Sequence, residues 1–333
     1  MPGIIVTFFI PNSWSNHKSF KECGEVFDLH SYIKAFAAQH GFTTQIIEER
    51  TLTNLSMRKE IYWWLSLAFF VKAMRVPWTL ANLDQNTAFA GIGYSVSKKQ
   101  SGKFNIVIGC SHIYNSEGQG LRYKLSKIDN PILDRKNNPY LTYNEAYKLG
   151  VNIQNLFIQS MDKLPKRVVI HKRTPFQEDE IKGITEALAQ ANITNVDLIT
   201  ITIEKNIRCL DQFFYNGQAK NSNFPLRRGT CMKLSDTECL LWTHGVVDSI
   251  KAGRSYYSGG KGIPSPLRIS KFYGAGSMKT ICNEILGFTK MNWNSFNFYT
   301  KLPATIDTSN TLAQVGNMLD NYNGITYDYR YFI

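Results

Sequence analysis

The sequence predicts an α/β protein in two parts, and two observations indicate this fold class. Over residues 1–78, strand and helix patterns alternate, which is typical of a small parallel sheet with helices on its faces. From residue 87 onward, closely spaced strands come first and a strand–helix–strand unit follows at 166–203. This order predicts antiparallel hairpins beside parallel strands.

The first part begins with an apolar strand at residues 4–10, which is short and follows no basic segment, so it does not resemble a signal peptide. A helix is expected at 27–39. Ile33, Phe36 and Ala37 recur at helical spacing and are expected on its buried side.

Gly41 is typical of the residue that ends such a helix, and residues 44–47 then predict a short buried strand. A second helix is expected at 59–73. Its apolar run at 61–71 is well short of the ~20 residues that cross a bilayer, so a buried helix is predicted. Pro77 ends any helical continuation.

The second part alternates strands and helices over most of its length. Strands are expected at 87–96, 104–110, 120–125, 166–173, 196–203 and 239–245, and helices at 144–161, 177–191 and 278–286. Residues 224–230 predict a turn or short loop. Residues 263–269 are expected to be extended, with Pro264 and Pro266 excluding them from a central place in a sheet.

Composition favours a folded protein with a polyanionic partner. The chain has 333 residues, of which 43% are apolar and 13% aromatic, enough to bury substantial cores. Its net charge is +12, which favours nucleic acid or an anionic membrane as partner. The basic residues are scattered, so a groove built by the fold is expected; a solvated basic surface is the alternative.

The six cysteines include no CxxC pair and no spaced Cys/His set. We therefore expect no zinc site, and reduced thiols in a cytoplasmic protein. Cys209, Cys231 and Cys239 are expected to be small core residues.

Four polar residues of the first part suit a terminal phosphate. His30 and Lys34 are four residues apart and share a helix face, Gln45 lies on the following strand, and Lys72 lies near the end of the next helix. Two lysines supply charge and donors, and an amide can direct the phosphate. The alternative is a solvated helix face, with Lys72 as a partner of the helix dipole.

These residues carry a family resemblance. His30-x-x-x-Lys34, then Thr44-Gln45, then Lys72 before Val76-Pro77-Trp78 resembles the guide 5′-end pocket of Argonaute MID domains. More narrowly, the chain resembles short prokaryotic Argonautes. This resemblance implies a Rossmann-like MID domain over residues 1–78, followed by an RNase H-like PIWI domain over 79–333.

The resemblance implies a role for each pocket residue. His30, Lys34, Gln45 and Lys72 would bind the guide 5′-phosphate, and the ring of His30 would stack on the first base or bind phosphate, where the family often has tyrosine. The main-chain carboxylate of Ile333 would join them and help to hold a structural Mg²⁺.

Other residues match stretches that hold guide or target backbone in the family. They are Thr44, Arg173, Arg228, Lys290, Asn292 and Asn294. The alternatives are a solvated turn for Arg228 and turn formation for the two asparagines. His171 and Lys172, beside Arg173, would touch backbone or pair structurally.

The resemblance also implies that the chain does not cleave. Cleaving Argonautes hold two metal ions with a cluster of carboxylates. Gly93 and Arg173 stand where two of these would be, and a cation there repels metals. Asp307 and Glu145 do not by themselves assemble such a site. A divergent RNase H-like guided endonuclease with a relocated metal site is the alternative, and a scaffold that has lost guide binding is a third.

Partners also follow from the resemblance. They are a small 5′-phosphorylated guide (RNA favoured over DNA), a complementary single-stranded DNA or RNA target, and an APAZ-containing partner fused to a TIR, sirtuin-like or nuclease effector. Such systems act against plasmids and phages, and no membrane partner is expected. The sequence contains no P-loop and no GxSxG, and no GxGxxG after a strand.

Overall fold

The computed structural model describes most of the chain. Its described residues are 4–22, 25–81, 84, 86–98, 104–113, 121–128, 132–135, 138–247, 263–293, 299–316, 318 and 326–332. Of the predicted site residues, Asn294 and Ile333 lie outside this part.

The first part of the chain forms a small parallel sheet with helices. Its strands are β1 (Ile5–Ile10), β2 (Ser19–Glu22), β3 (Glu25–Asp28) and β4 (Thr43–Glu48). Its helices are α1 (Leu29–Gln39), α2 (Glu49–Thr53) and α3 (Arg58–Lys72), with 3-10 turns at Asn12–His17 and Leu55–Met57. β1 and β4 pair in parallel, as predicted, whereas the antiparallel hairpin β2–β3 was not predicted.

The remaining strands and helices follow in chain order. The strands are β5 (Thr87–Lys98), β6 (Phe104–Ile113), β7 (Leu121–Ile128), β8 (Ile132–Leu133), β9 (Pro139–Tyr140), β10 (Arg167–Lys172), β11 (Val196–Ile203), β12 (Leu210–Tyr215), β13 (Gln218–Pro225), β14 (Cys231–Lys233), β15 (Glu238–Leu241), β16 (Leu267–Tyr273) and β17 (Thr326–Asp328). The helices are α4 (Tyr143–Met161), α5 (Glu178–Gln190), α6 (Met278–Phe288) and α7 (Ala304–Gly316), with a last 3-10 turn at Tyr329–Tyr331.

A mixed sheet of nine described strands organises the second part. Its order is β14-β15-β16-β11-β10-β5-β6-β7-β17, with parallel pairs at β11–β10 and β10–β5 and antiparallel pairs elsewhere. The predicted α/β class, with hairpins beside parallel strands, is therefore confirmed.

Helices cover both faces of this sheet, and side-chain alternation separates two cores. Ala88, Ala90 and Ile170 face the core under α4 and α5. Phe89 and Val169, each one residue away, face the other core, to which α6 and α7 contribute. This second core also includes residues of α1 and α3, so the first part of the chain packs on the same face.

Three local predictions are wrong for reasons of tertiary packing. Pro264 and Pro266 lie just before β16, which therefore takes an interior place in the sheet without losing ladder donors. Phe36 is 46% exposed, although Ile33 and Ala37 are buried. Residues 224–230 are not wholly a turn, because β13 continues to Pro225.

The predicted buried helix α3 is buried on one side only. Ile61 and Val71 are buried, whereas Trp63 is 58% and Phe70 48% exposed. The apolar residues therefore extend around more of the helix surface than the neighbouring elements bury. None of the described helices is both long and apolar enough to span a membrane.

Candidate nucleic-acid-binding pocket

Helix α1 starts at a residue that sets the position of two pocket side chains. Asp28 caps the helix by accepting a hydrogen bond from the main-chain nitrogen of Ser31 at 2.9 Å. His30 therefore lies in the first turn and Lys34 one turn later, on the same side. Gly41, with a φ of 72°, then turns the chain into β4.

The structure brings His30, Lys34, Gln45 and Lys72 to one cavity of about 300 Å³. The side chain of Lys72 reaches it from α3, and its Nζ donates to Gln45 Oε1 at 2.6 Å. Nζ of Lys34 donates to the main-chain oxygen of Phe332 at 2.9 Å. Residues from α1, α3, β4 and the last described turn thus meet at this cavity.

The two lysines are buried, with 4% of Lys34 and 3% of Lys72 exposed. Burial, and then the charge of Lys72, lowers the pKa of Lys34 well below its usual value. Burial lowers the pKa of Lys72 to about 8. Among the described residues, both ammonium groups bond neutral oxygens and neither pairs with a carboxylate. Such a pair favours an anionic ligand, which would offset the cost of burying positive charge.

Carboxylate charge near the cavity is already neutralised. Glu48 lines the cavity, but it pairs with Lys18 at 2.9 Å and with Arg50. The hydrogen bond from Lys18 is the main cause of the lowered pKa of Glu48. The rim therefore does not cancel the charge of the buried lysines.

His30 lies between this cavity and a second one of about 240 Å³, which Ile10, Leu29 and Ile33 also line. Although the residue as a whole is exposed, enclosure of its ring and then the charge of Lys34 lower the pKa of His30 to about 4. The ring is therefore neutral at pH 7 in the free protein. A neutral ring beside the second cavity, which Lys18, Asp28 and Glu48 line together with the apolar side chains, suits a planar aromatic ligand with polar edges.

Thr44 lies on β4 beside Gln45 but points into the protein. It is 1% exposed, and its hydroxyl oxygen has no hydrogen-bond partner among the described residues. Strand alternation explains this, since successive side chains point to opposite faces. A direct contact of Thr44 with nucleic-acid backbone does not fit this burial.

The basic cluster at the end of β10 is divided by the sheet. His171 is buried, and its Nδ1 lies 2.8 Å from the hydroxyl of Thr305. Lys172 is buried on the other face and bonds Glu180 Oε2 at 2.6 Å. Of the two alternatives for His171 and Lys172, these contacts agree with structural pairing, and the burial of both side chains leaves neither accessible to nucleic-acid backbone. Arg173, just beyond the strand, is exposed and accessible to a ligand.

Arg228 bonds within the protein and is not a solvated turn residue. Its Nη2 donates to the oxygen of Leu286 at 3.1 Å and to Thr289 Oγ1 at 2.6 Å, and the guanidinium lies 4.6 Å from the ring centre of Tyr299. Burial lowers the pKa of Arg228. These contacts hold the end of α6, so a structural role competes with the predicted backbone contact.

The segment after α6 is partly accessible. Lys290 is exposed, while its main-chain oxygen accepts a bond from Trp78 Nε1 at 2.7 Å. Asn292 Nδ2 donates to Asp307 Oδ2 at 2.8 Å. Asn294 lies outside the described residues.

The position of Gly93 has no room for a side chain. In the parallel pairing of β5 with β10, Ile92 lies opposite Lys172. Gly93 and Arg173 are the next residues along the two chains. A Cβ added at Gly93 would lie 2.6 Å from the main-chain nitrogen of Asn310 and still closer to the carbonyl group of Ser309. Helix α7 thus occupies the space that a carboxylate would need.

Together, the mixed α/β sheet and the helices on both of its faces define the fold of a Piwi domain. The chain matches the Piwi domain family over residues 25–321, and it belongs to that family. The family includes both active and inactive members.

Relatives and solved structures agree with this assignment. The chain is 25% identical to the Argonaute protein of Aquifex aeolicus over 292 residues, which is 87% of this chain and 36% of that protein. A structure of that Argonaute matches 99% of this chain and 42% of its own, with a TM-score of 0.63 and 22% identity. The Argonaute of Clostridium butyricum, solved with a guide DNA and a 19-mer target DNA, matches 99% of this chain and 39% of its own, with a TM-score of 0.67 and 18% identity. The chain thus spans about two fifths of the length of these proteins.

Sequence reasoning missed one side-chain cluster. Cys231, Cys239 and Cys282 meet beside α6, and Cys231 is exposed instead of buried in the core. The spacing of these cysteines along the chain carries no motif that would have signalled the cluster.

Proposed function

We propose that this chain binds the phosphorylated 5′ end of a small guide and tests complementary single strands by base pairing. The observation that carries this proposal is the pair Lys34 and Lys72, two buried ammonium groups that open into one cavity and lack a carboxylate partner in the described structure. Two charges of this kind match the two negative charges of a terminal phosphate.

The pocket geometry supports separate binding places for the 5′-phosphate and for the first base of the guide. The phosphate would lie at Lys34 and Lys72. Gln45, whose Nε2 donates to the main-chain oxygen of Ile46 at 3.0 Å, would turn its amide to donate to the phosphate once Lys72 turns to the ligand. The first base would enter the cavity beside Ile10 and Ile33, against the neutral ring of His30. The ring of His30 would then stack on the first base, and the two lysines would bind the phosphate.

The rest of the guide would follow the basic surface. Arg173 and Lys290 are exposed and accessible to backbone phosphates, while Arg228 would contribute through the turn that it stabilises. The protein would contact the guide backbone, and base pairing by the guide would supply sequence specificity. Affinity of the protein for the guide would therefore fall as the salt concentration rises. RNA is favoured over DNA as the guide.

We further propose that this chain does not cleave its target. Support comes from Gly93, where α7 fills the space for a side chain, and from Arg173, a cation beside it. The alternative is a guided endonuclease with a relocated metal site. Asp197 and Glu284 are two described carboxylates that lie together, yet both accept hydrogen bonds from Arg167. That arrangement suits an internal ion pair better than metal ions.

The implied Mg²⁺ at the 5′-phosphate has little support among the described oxygens. Gln45 Oε1 and the oxygen of Phe332 face the lysines, and each already accepts an ammonium hydrogen bond. Mg²⁺ prefers free oxygen ligands in an octahedral array. Its binding therefore depends on the carboxylate of Ile333 and on the guide itself, and it stays a prediction that no other step requires.

A partner carrying an APAZ region and an effector belongs to the same proposal. Target pairing would activate that effector against plasmids or phages. This step rests on the family resemblance alone. Co-purification with the partner, lost in a variant that cannot load a guide, would support it.

The decisive experiment is to purify the protein under native conditions and to sequence the bound nucleic acid with its 5′ chemistry. Short oligonucleotides with a 5′-phosphate are expected. A scaffold that has lost guide binding would carry none and would ignore those offered. Cleavage of a matched target by the loaded protein with Mg²⁺ or Mn²⁺ would favour the endonuclease instead.

A further inference from the structure

Three thiols from three separate elements meet beside α6. Cys231 comes from β14, Cys239 from β15 and Cys282 from α6. Their sulfur atoms all lie within 4.8 Å of one another. Sγ of Cys282 is 3.0 Å from that of Cys239 and 3.7 Å from that of Cys231.

The register of the hairpin explains this meeting. Cys231 is opposite Leu241, and Cys239 is opposite Lys233, so the two cysteines lie diagonally on one face of β14–β15. Helix α6 packs against this face, with Ile281 and Ile285 in the core. Cys282, beside Ile281, therefore points at the hairpin between its two cysteines.

We propose that Cys231, Cys239 and Cys282 form a three-thiolate site for a thiophilic d10 metal ion, with Zn²⁺ as the favoured occupant. Thiolates bind Zn²⁺ at about 2.3 Å, which places sulfurs that share one ion about 3.8–4.0 Å apart. The spacing in this cluster differs from that range by less than about an ångström, so small side-chain rotations suffice.

The arrangement suits one shared ion better than a disulfide. A disulfide joins two sulfurs at about 2.05 Å and leaves the third thiol unused. Soft sulfur ligands select Zn²⁺ or Cu⁺ over Mg²⁺ or Ca²⁺, and a divalent charge offsets more of the thiolate charge than a monovalent one. Zn²⁺ would complete its coordination with water on the side of Cys231, the exposed member of the cluster.

Metal binding would displace the thiol protons of the three cysteines, as it does at other thiolate sites. Affinity should therefore fall as pH falls.

An ion at this place would hold α6 at a second point. Arg228 already bonds the end of the helix at Leu286 and Thr289. The thiolates would join its earlier part to β14, which begins shortly after Arg228. The site would be structural and independent of the guide pocket, so it extends beyond the proposed function.

The test uses the full chain, reduced, stripped with a chelator and titrated with Cd²⁺. A sulfur-to-metal charge-transfer band should saturate at one ion per chain, and Zn²⁺ should displace it. Cys231→Ser, at an exposed position that folding tolerates, should weaken Cd²⁺ binding about tenfold or more. Cys209→Ser, at a cysteine outside the cluster, is the matched control and should leave binding unchanged.

Thermal unfolding gives a second readout. Saturating Zn²⁺ should raise the Tm of the parent chain and of Cys209→Ser by a similar amount. It should raise the Tm of Cys231→Ser much less. The proposal is overturned by Cd²⁺ binding that is equal in the parent chain and Cys231→Ser. It is also overturned by a Cys239–Cys282 disulfide that persists when Zn²⁺ is supplied.

Discussion

Nζ of Lys34 donates a hydrogen bond to the main-chain oxygen of Phe332 at 2.9 Å and joins residues 298 positions apart. Phe332 itself is buried in the core that α1 and α3 share with the large sheet. One residue of the candidate phosphate pocket is thus held by the other end of the chain. Changes at the carboxyl end should therefore reach the pocket directly.

The first prediction concerns the two buried lysines. Lys34→Ala combined with Lys72→Ala should lower the preference for 5′-phosphorylated over 5′-hydroxyl guides about a hundredfold, since each charged hydrogen bond contributes about 1.5–3 kcal/mol. The ratio of the two Kd values, measured by filter binding, is insensitive to the folded fraction. Lys59→Ala with Lys205→Ala removes equal charge from exposed positions and should keep the preference. An unchanged ratio in the pocket variant would refute the phosphate site.

The second prediction concerns pH. The pKa of Lys72 is lowered to about 8, so its charged form is lost as pH rises through that value in the free protein. The guide phosphate stays doubly charged there, because its second pKa is about 6. Affinity for 5′-phosphorylated guides should be highest between about pH 6 and pH 8 and fall above pH 8 by up to about tenfold per unit. Isothermal titration between pH 7 and 9.5 measures this, and an equal slope in Lys72→Ala would contradict it.

The third prediction concerns the last residue. Removing Ile333 should weaken guide loading, because it shortens the chain directly after Phe332, whose main-chain oxygen accepts the hydrogen bond from Lys34 of the pocket. Loading should fall more for 5′-phosphorylated than for 5′-hydroxyl guides if the main-chain carboxylate of Ile333 helps to hold a metal ion there. Ile333→Ala keeps the carboxylate and is the matched control. Loading of the shortened chain at the parent level would exclude a role for this residue.

The fourth prediction concerns Gly93. Gly93→Ala should lower the free energy of unfolding by about 1–3 kcal/mol or more, because the added Cβ meets the main chain of α7. Denaturant titration measures this. Gly287→Ala, which meets only the flexible side chain of Leu80 at 3.3 Å, should cost less.

The same packing bears on cleavage. Gly93→Asp with Arg173→Asp should leave a guided cleavage assay negative, since α7 must move before a carboxylate fits. Metal-dependent cutting by this variant would mean that the site needs only those two ligands.

The fifth prediction separates Arg228 from Arg173. Arg228→Ala removes the charge together with the two hydrogen bonds that Nη2 donates to Leu286 and Thr289, so the free energy of unfolding should fall by about 1–3 kcal/mol, with the salt dependence of guide binding unchanged. Arg173→Ala, at an exposed position, should change stability by less than about 0.5 kcal/mol and reduce the salt slope by about one phosphate contact. The reverse pattern would assign the backbone contact to Arg228.

Local sequence patterns predicted much of the fold. The apolar periods of α1, α4 and α5, the strand at 196–203 and the parallel pairing beside it follow from residues close in sequence. The convergence of His30, Lys34, Gln45 and Lys72 was also predictable, because a family motif reports spatial proximity. The hairpin β12–β13 was missed: its aromatic side chains are exposed, so it lacks the alternation that marks a half-buried strand.

The sequence by itself determined the α/β class, the order of most elements and the residue types of the pocket, since these depend on periodicity and on short-range capping. Only the tertiary structure decided that Lys172 is neutralised by Glu180, that α7 fills the space at Gly93 and that three cysteines meet. Each of these depends on contacts between elements far apart in the chain. Burial and close packing of this kind are properties of the assembled sheet and its helices, and no local pattern encodes them.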